Sequence, residues 1–86
     1  MWVVVNLFSD NSRLDDVYIS SLFIERDGAV ANLVVLLSEF IADFDDDLTK
    51  KDRRDIEKNL KLIRQGGNNA IIYGNNSWEI RELHIN

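Results

Sequence analysis

The segment AVANLVVLLSEFIADF, residues 29–44, constrains the fold of this chain more than any other. Apolar side chains recur in it at the spacing of an α-helix that buries one face. Polar residues Asn32, Glu39 and Asp43 fall on the other side. The segment is therefore predicted to be an amphipathic helix, and the rest of the chain must supply an apolar surface to cover it. The apolar stripe consists of Leu33, Leu36, Leu37, Phe40, Ile41 and Phe44.

A second helix is predicted over residues 50–65. Thr49 suits the N-cap position, Asp52 follows three residues later, and Gly66 is able to end the helix in the left-handed conformation. Its apolar stripe is narrow, so we expect only one side of this helix to be buried. The stripe consists of Ile56, Leu60 and Ile63.

Two further regions predict β-structure. The N-terminal run MWVVVNLF has β-branched and aromatic residues at both odd and even positions, which is typical of a central strand. Near the C-terminus, NAIIYG and SWEIRELHI flank a Gly74-Asn75-Asn76 turn and predict a hairpin. The apolar residues of the last strand change phase. This indicates either a β-bulge near Arg81-Glu82 or a departure of the final residues from the sheet.

The segment RLDDVYISSLFIERDG is ambiguous. Its composition favours a strand over residues 17–24, but its apolar spacing also fits one face of a helix. We favour the strand, followed by a turn at Arg26-Asp27-Gly28. The residues of the alternative helical face are Leu14, Val17, Tyr18 and Leu22.

Together these elements predict an α+β fold, a small antiparallel sheet packed against two helices. The chain has 86 residues, which is too few for two hydrophobic cores, so residues 1–86 are expected to form a single domain.

Charge is distributed unevenly along the chain. Residues 10–47 carry ten acids and two bases, a net charge of −8, whereas residues 48–86 carry five acids and eight bases, a net charge of +3. The distribution disfavours a general nucleic-acid binder. It favours an acidic surface that recruits a basic partner.

Several functional classes find no support in the composition. Cysteine is absent, which removes disulfides, thiolate catalysis and sulfur-ligated zinc. The N-terminal run lacks the features of a secretory signal, and the longest apolar run, residues 33–37, is too short to span a membrane. We therefore expect a cytoplasmic protein with no membrane association, no cofactor and no small-molecule substrate.

The stretch DFDDDLTK, residues 43–50, has the spacing with which a calcium loop begins. Leu48 stands where such a loop needs glycine, and Arg54 stands where it needs a bidentate glutamate, so no metal site is expected. Two interpretations remain open. These acids form either a docking patch for a basic partner or a solvated junction that favours the start of the second helix. They are Asp43, Asp45, Asp46 and Asp47.

Catalysis also has little support. His84 is the single histidine, and no nucleophile or acid–base partner is suggested for it, so no enzymatic activity is expected. The second helix carries a basic side that is able to follow phosphates, although acids at i, i+4 positions neutralise part of its field. A nucleic-acid-associated module that uses residues 50–64 is therefore kept as an alternative. The basic side consists of Lys50, Arg54, Lys58 and Lys61.

Trp2 and Trp78 are the two largest side chains of the chain. Both are expected to pack in the core beneath the helices. If either is exposed beside an acid such as Glu79, we expect it to anchor an interface, because tryptophan is enriched at interface hot spots.

A compact, acidic, cysteine-free α+β protein without a catalytic set resembles the bacterial immunity proteins that neutralise toxins. It is similar in size and charge to those of contact-dependent inhibition systems and to the barstar-like inhibitors of ribonucleases. The resemblance implies tight binding to a basic toxin domain, often a nuclease, whose active site the acids would occlude. The acids that carry it are Asp15, Asp16, Glu39, Asp43, Asp45, Asp46 and Asp47.

The sequence thus predicts a protein-binding inhibitor, an immunity protein against a nuclease-type toxin. Trp78 and Glu79 join the acids as predicted contact residues. A phage-encoded inhibitor that mimics nucleic acid is supported by the same acids and remains a further alternative.

Overall fold

The computed structural model of this chain describes residues 1–10 and 13–84, with side chains at residues 1–9 and 16–84. Within them the four strands form one antiparallel sheet of order β2-β1-β4-β3, accompanied by two helices. This architecture confirms the predicted α+β fold. The elements in chain order are β1 (Trp2–Asp10), β2 (Arg13–Ile19), α1 (Arg26–Asp43), α2 (Lys50–Arg64), β3 (Ile71–Tyr73) and β4 (Asn76–Glu82).

Both helices lie on the same face of the sheet, and they cover it unevenly. α1 packs on β1 and β4, α2 packs on β3, and the two helices contact each other. Within the described residues no helix packs on β2. The helical layer therefore leaves one edge of the sheet uncovered.

The strand register determines which side chains meet the helices. Val4 of β1 pairs with Ile80 of β4, and Trp78 of β4 pairs with Ile71 of β3. Paired residues project to the same face of a sheet, so all four point toward the helices. Trp78 is only 3% exposed, which confirms its predicted place in the core. The buried cluster contains Val4, Ala29, Val30, Leu33, Leu37, Leu48, Ile56, Ile63, Ile71 and Trp78.

The opposite face of β1 is buried as well, although no helix covers it. Val3 and Val5 pair with Arg81 and Glu79 of β4, and the valine side chains are buried between their neighbours. β1 lies between β2 and β4 and is buried on both faces. The prediction of a central N-terminal strand is thus confirmed.

The start of α1 differs from the prediction. The turn expected at Arg26-Asp27-Gly28 is wrong, because these residues form the first turn of α1. Gly28 is needed for close packing and not for a turn: a Cβ at this position would lie 3.0 Å from Cδ1 of Phe23. A glycine before an apolar run therefore allowed an aromatic side chain to pack against the beginning of the helix.

β2 confirms the strand interpretation of the ambiguous segment only in part. The strand includes Val17, Tyr18 and Ile19 but ends there, so the predicted extension through residues 20–24 is wrong. The strand ends where a contact distant in the chain replaces the regular pairing, because the hydroxyl of Ser20 accepts the Val4 N–H at 2.8 Å in place of a backbone carbonyl. Beyond it, Phe23 forms an isolated bridge to Trp2.

α2 begins and ends as predicted. The side chain of Thr49 accepts the Asp52 N–H at 3.1 Å, and the side chain of Asp52 accepts the Thr49 N–H at 3.0 Å, which completes a capping box. Gly66, with φ of 99°, occupies the left-handed region after the last turn. Ile56 and Ile63 are buried, as expected for a narrow apolar stripe.

The C-terminal hairpin is also present. Tyr73 pairs with Asn76, so Asn76 belongs to β4 and the loop contains only Gly74, which has φ of 57°, and Asn75. The pairing of β4 with β1 continues without a register shift to Glu82. Of the two interpretations of the phase change, the bulge near residues 81–82 is therefore wrong. β4 ends at Glu82, and Leu83 still exchanges backbone hydrogen bonds with Met1. Ile85 lies outside the described residues.

Arg26 connects the beginning of α1 to the end of α2. Its guanidinium donates to the carbonyl oxygen of Ile63 at 2.7 Å and to that of Gly67 at 2.6 Å. It also lies 5.8 Å from the centre of the Trp2 ring. These carbonyls belong to the end of α2, where unpaired oxygens and the negative end of the helix dipole favour a cation.

Arg26→Met is expected to lower the free energy of unfolding by about 2 kcal/mol, because two bonds from a charged donor are lost while the aliphatic stem is kept. Urea unfolding measures this as a lower midpoint with an unchanged slope. The matched control Arg54→Met, at an exposed position of α2, should change stability by less than about 0.5 kcal/mol. Equal stability of the two variants would show that the Arg26 contacts contribute nothing.

Candidate functional site

A groove lies above the uncovered strand β2, between the sheet and the flank of α1. Two adjoining cavities of about 350 and 330 Å³ form it, and both are lined by Asn6, Tyr18, Phe40 and Asn76. The groove exists because α1 sits over β1 and β4 and leaves β2 without a helical cover. Because of the side chains described below, we call it the acidic groove.

The floor of the acidic groove is built by strand pairing. Phe8 of β1 pairs with Asp16 of β2, and Asn6 pairs with Tyr18. Since side chains alternate between faces along a strand, these four residues all project to the helical side of the sheet. The hairpin register therefore places one carboxylate and two aromatic rings beside α1.

The wall of the acidic groove is one stripe of α1. Leu36, Glu39, Phe40 and Asp43 follow the i, i+3, i+4, i+7 spacing and line the larger cavity together. Glu39 and Asp43 were expected opposite the buried stripe of this helix. They instead lie on its flank, next to Phe40, where they face the space above β2.

Three of the predicted acids thus line the acidic groove, Glu39 and Asp43 in one of its two cavities and Asp16 in the other. Asp16 comes from β2, whereas Glu39 and Asp43 come from α1, and all three are exposed. Neither cavity has a lysine or arginine among its described lining residues, and none of the three acids belongs to an ion pair in the described part of the chain. The groove consequently presents a negative field to solvent.

Aromatic rings give the groove an apolar surface between its acids. The Phe40 ring packs edge-on against Trp78, with centroids 4.7 Å apart, and in a tilted arrangement against Phe44, with centroids 4.6 Å apart. Tyr18 and Phe8 remain exposed on the floor. Exposed ring faces next to carboxylates suit the aliphatic stem and cationic head of a lysine or arginine.

The junction between α1 and α2 is a folded turn. Asp45 forms an ion pair with Arg53 of α2, and the Asp47 carbonyl accepts a hydrogen bond from the Tyr73 hydroxyl at 3.3 Å. Leu48 is buried beneath the turn. Asp45 therefore fits the interpretation of a helix junction, while Asp46 and Asp47 remain exposed next to the end of the acidic groove.

The remaining predicted contact residues are Trp78, Glu79 and Asp15. Trp78 is buried in the core as predicted, so the condition under which it was expected to anchor an interface is not met, although it lines one cavity of the groove. Glu79 projects to the opposite face of the sheet, where it pairs with Arg81 at 2.5 Å. The side chain of Asp15 lies outside the described residues.

The sequence did not predict the other side chains that line the groove together with these acids. They are Asn6, Phe8, Tyr18, Phe40, Phe44 and Asn76. Recognition of the β1–β2 hairpin would have placed Phe8 beside Asp16 and Asn6 beside Tyr18. The ambiguity of residues 13–24 prevented that step.

Metal sites and membrane spans were searched in the same part of the chain. No cluster of three or more His, Cys, Asp or Glu side chains is placed there to hold a metal ion. Neither described helix combines the length and the apolar character needed to cross a membrane. Comparison of the chain with protein-family models, with curated proteins and with solved structures finds no match.

Asp43 lies in the last turn of α1, which has no basic residue to meet the negative end of the helix dipole. Asp43→Lys is therefore expected to stabilise the protein by about 0.3–1 kcal/mol in thermal or urea unfolding at low salt. The control Asp27→Lys, at the first turn of the same helix, should destabilise it by a similar amount. If Asp43→Lys instead destabilises the protein, the Asp43 carboxylate stabilises the folded state.

Proposed function

We propose that this protein is a protein-binding inhibitor, an immunity protein that neutralises a nuclease-type toxin by holding a basic segment of it in the acidic groove. The observation that carries the proposal is that Asp16, Glu39 and Asp43 line the two adjoining cavities of one aromatic-lined groove, which has no lysine or arginine among its described lining residues. The resemblance to immunity proteins in size and charge supports the same conclusion.

In this proposal, electrostatic attraction selects a basic partner and raises the rate of association. A nuclease must concentrate positive charge in its active site, because its substrate is a polyanion. Three carboxylates on one side of the inhibitor attract such a surface over roughly 10 Å at ordinary salt and accelerate association. The acids also discriminate against acidic proteins, because like charges brought together repel each other.

Aromatic contacts supply affinity. A lysine or arginine that enters the groove would place its cation against the carboxylates and its stem against Tyr18 and Phe40, with a cation–π contribution of about 0.5–2 kcal/mol. Both rings belong to regular elements, and Phe40 is held by the buried Trp78. A rigid site of this kind loses little conformational entropy on binding.

The double substitution Glu39→Lys/Asp43→Lys is expected to abolish capture of the partner. The immobilised protein is incubated with native lysate of its source, and bound proteins are identified by mass spectrometry. The parent should retain one basic protein in stoichiometric amount, whose nuclease activity it suppresses, and the double variant should lose at least 100-fold in association rate at low salt.

The matched control is Asp55→Lys/Glu57→Lys, which makes the same charge change on exposed positions of α2. Since α2 packs on β3, at the other edge of the sheet, this control should keep the partner. Equal loss in both variants would indicate a net-charge effect and contradict a groove-specific site. Capture of a host nuclease in place of a toxin would favour the phage-encoded nucleic-acid mimic.

The exposed basic side of α2 supports a second candidate, a nucleic-acid-associated module. Lys50, Arg54, Lys58 and Lys61 are all exposed and lie opposite the buried Ile56 of the same helix. Anisotropy titrations with duplex DNA and structured RNA separate the candidates. Micromolar binding that falls steeply with salt and disappears in Arg54→Glu/Lys58→Glu would favour this second function.

A further inference from the structure

β2 is an edge strand whose outward hydrogen-bonding groups can be assigned from its register. Ser20 N–H donates to the Val4 carbonyl at 3.0 Å, and the same register pairs Asn6 with Tyr18 and Phe8 with Asp16. In an antiparallel ladder, alternate residues direct their N–H and C=O groups toward the neighbouring strand. The residues between them, Val17 and Ile19, therefore direct theirs away from the sheet.

This edge has few of the features by which most sheets block the addition of another strand, with one charged residue, Asp16, at the start of the run. The run Asp16–Ile19 contains no proline and no lysine, and no helix packs on it within the described residues. The register shift of the hairpin lies at Phe8/Ser9, before this run is reached. Val17 and Ile19 are 45% and 60% exposed.

The other edge of the sheet is different. β3 has only three residues, Ile71–Tyr73, and α2 packs on it. A short, covered strand offers little room for further pairing. Of the two edges, β2 is thus the one that is open to another strand.

The two faces of a strand added at β2 would meet different surroundings. On the helical side its side chains would lie in the acidic groove, beside Asp16 and below Glu39 and Asp43. On the other side they would lie beside Val17 and Ile19, whose side chains share a face with Val5 and Leu7 of β1. An added strand that fits both faces alternates basic and apolar residues.

We propose that β2 binds an extended segment of the partner by strand addition. Backbone groups of Val17 and Ile19 pair with the segment, its lysine or arginine residues enter the acidic groove, and its intervening apolar residues pack beside Val17 and Ile19. The inference rests on the proposed function, because it specifies which part of a basic partner enters the groove. Backbone pairing provides affinity and the alternation provides specificity.

A second copy of this chain is a poorer occupant of the same edge. Two β2 strands paired antiparallel about a twofold axis place both helical layers on one side of the joined sheet. The acids of one groove, Asp16, Glu39 and Asp43, would then face the same acids of the other copy. Like charges brought together across a strand pair are unfavourable.

The test uses the whole protein and an eight-residue peptide of alternating lysine and valine with blocked ends. Binding is expected to slow hydrogen exchange of the Val17 and Ile19 amides at least tenfold, as measured by NMR. The Tyr18 amide, which faces β1, should change little. The matched peptide Lys-Lys-Val-Val-Lys-Lys-Val-Val has the same composition without the alternation and should bind at least tenfold more weakly.

N-methylation of the two central valines of the alternating peptide removes hydrogen-bond donors without altering the protein. We expect this peptide to lose at least tenfold in affinity. Equal affinity, unchanged exchange at Val17 and Ile19, or no binding of the alternating peptide would overturn strand addition. So would a free chain that sediments as a dimer with these amides already protected.

The protein variants separate this inference from the proposed function. If Glu39→Lys/Asp43→Lys abolishes partner capture while N-methylation has no effect on peptide binding, the groove function stands and strand addition is wrong. If N-methylation weakens the peptide while partner capture is insensitive to the double substitution, strand addition stands and the groove function is wrong.

Discussion

The packing of α1 against β1 and β4 is the interaction on which the rest of this structure depends. Leu33 and Leu37 are buried in one cluster with Val4 and Trp78, and each large apolar side chain contributes about 1.5–3 kcal/mol when fully buried. This contact places the helix over the centre of the sheet. The position of α2 on β3 follows, because the short junction after Asp43 and the contacts of Arg26 bind the two helices together. β2 is therefore left without a helix packed on it in the described part of the chain.

Because β2 is uncovered, three acids of the first half of the chain and the basic side of α2 lie at opposite edges of the sheet. Asp16, Glu39 and Asp43 gather on the β2 side of the sheet, whereas the basic side of α2 lies above the β3 edge. A protein with this arrangement presents one negative concavity and one positive helix at opposite edges. Asp43 occupies the end of α1 that is unfavourable for an acid, so its carboxylate lowers the stability of the helix by a small amount.

The spacing of residues in the sequence was sufficient to predict the long elements. The stripe of α1, the capping box of Thr49 and Asp52, and the C-terminal hairpin that turns at Gly74 each depend on local geometry, and all three are present, although the hairpin loop is one residue shorter than predicted. Errors occurred where a distant side chain decided the outcome. Gly28 predicts a turn from the sequence, because the local sequence does not show that Phe23 packs against it. β2 ends just before Ser20, whose hydroxyl bonds to Val4 of the neighbouring strand. Glu79 was expected to contact the partner, and the strand register places it on the face of the sheet opposite the groove.

By itself the sequence determined the class of fold, both helices, the central strand and the excess of acids in its first half, because these depend on composition and on spacing between near neighbours. Only the tertiary structure decided which acids lie on the same side of the sheet. The register of β1 with β2, and the position of α1 over β1 and β4, place Asp16 in one cavity of the acidic groove and Glu39 and Asp43 in the adjoining one, and leave Asp45 paired with Arg53. Those placements follow from long-range packing, in which each strand and helix takes the position that buries the shared core. The acidic stretch at residues 43–47 is therefore divided between a groove and a helix junction, although its residues are adjacent in the chain.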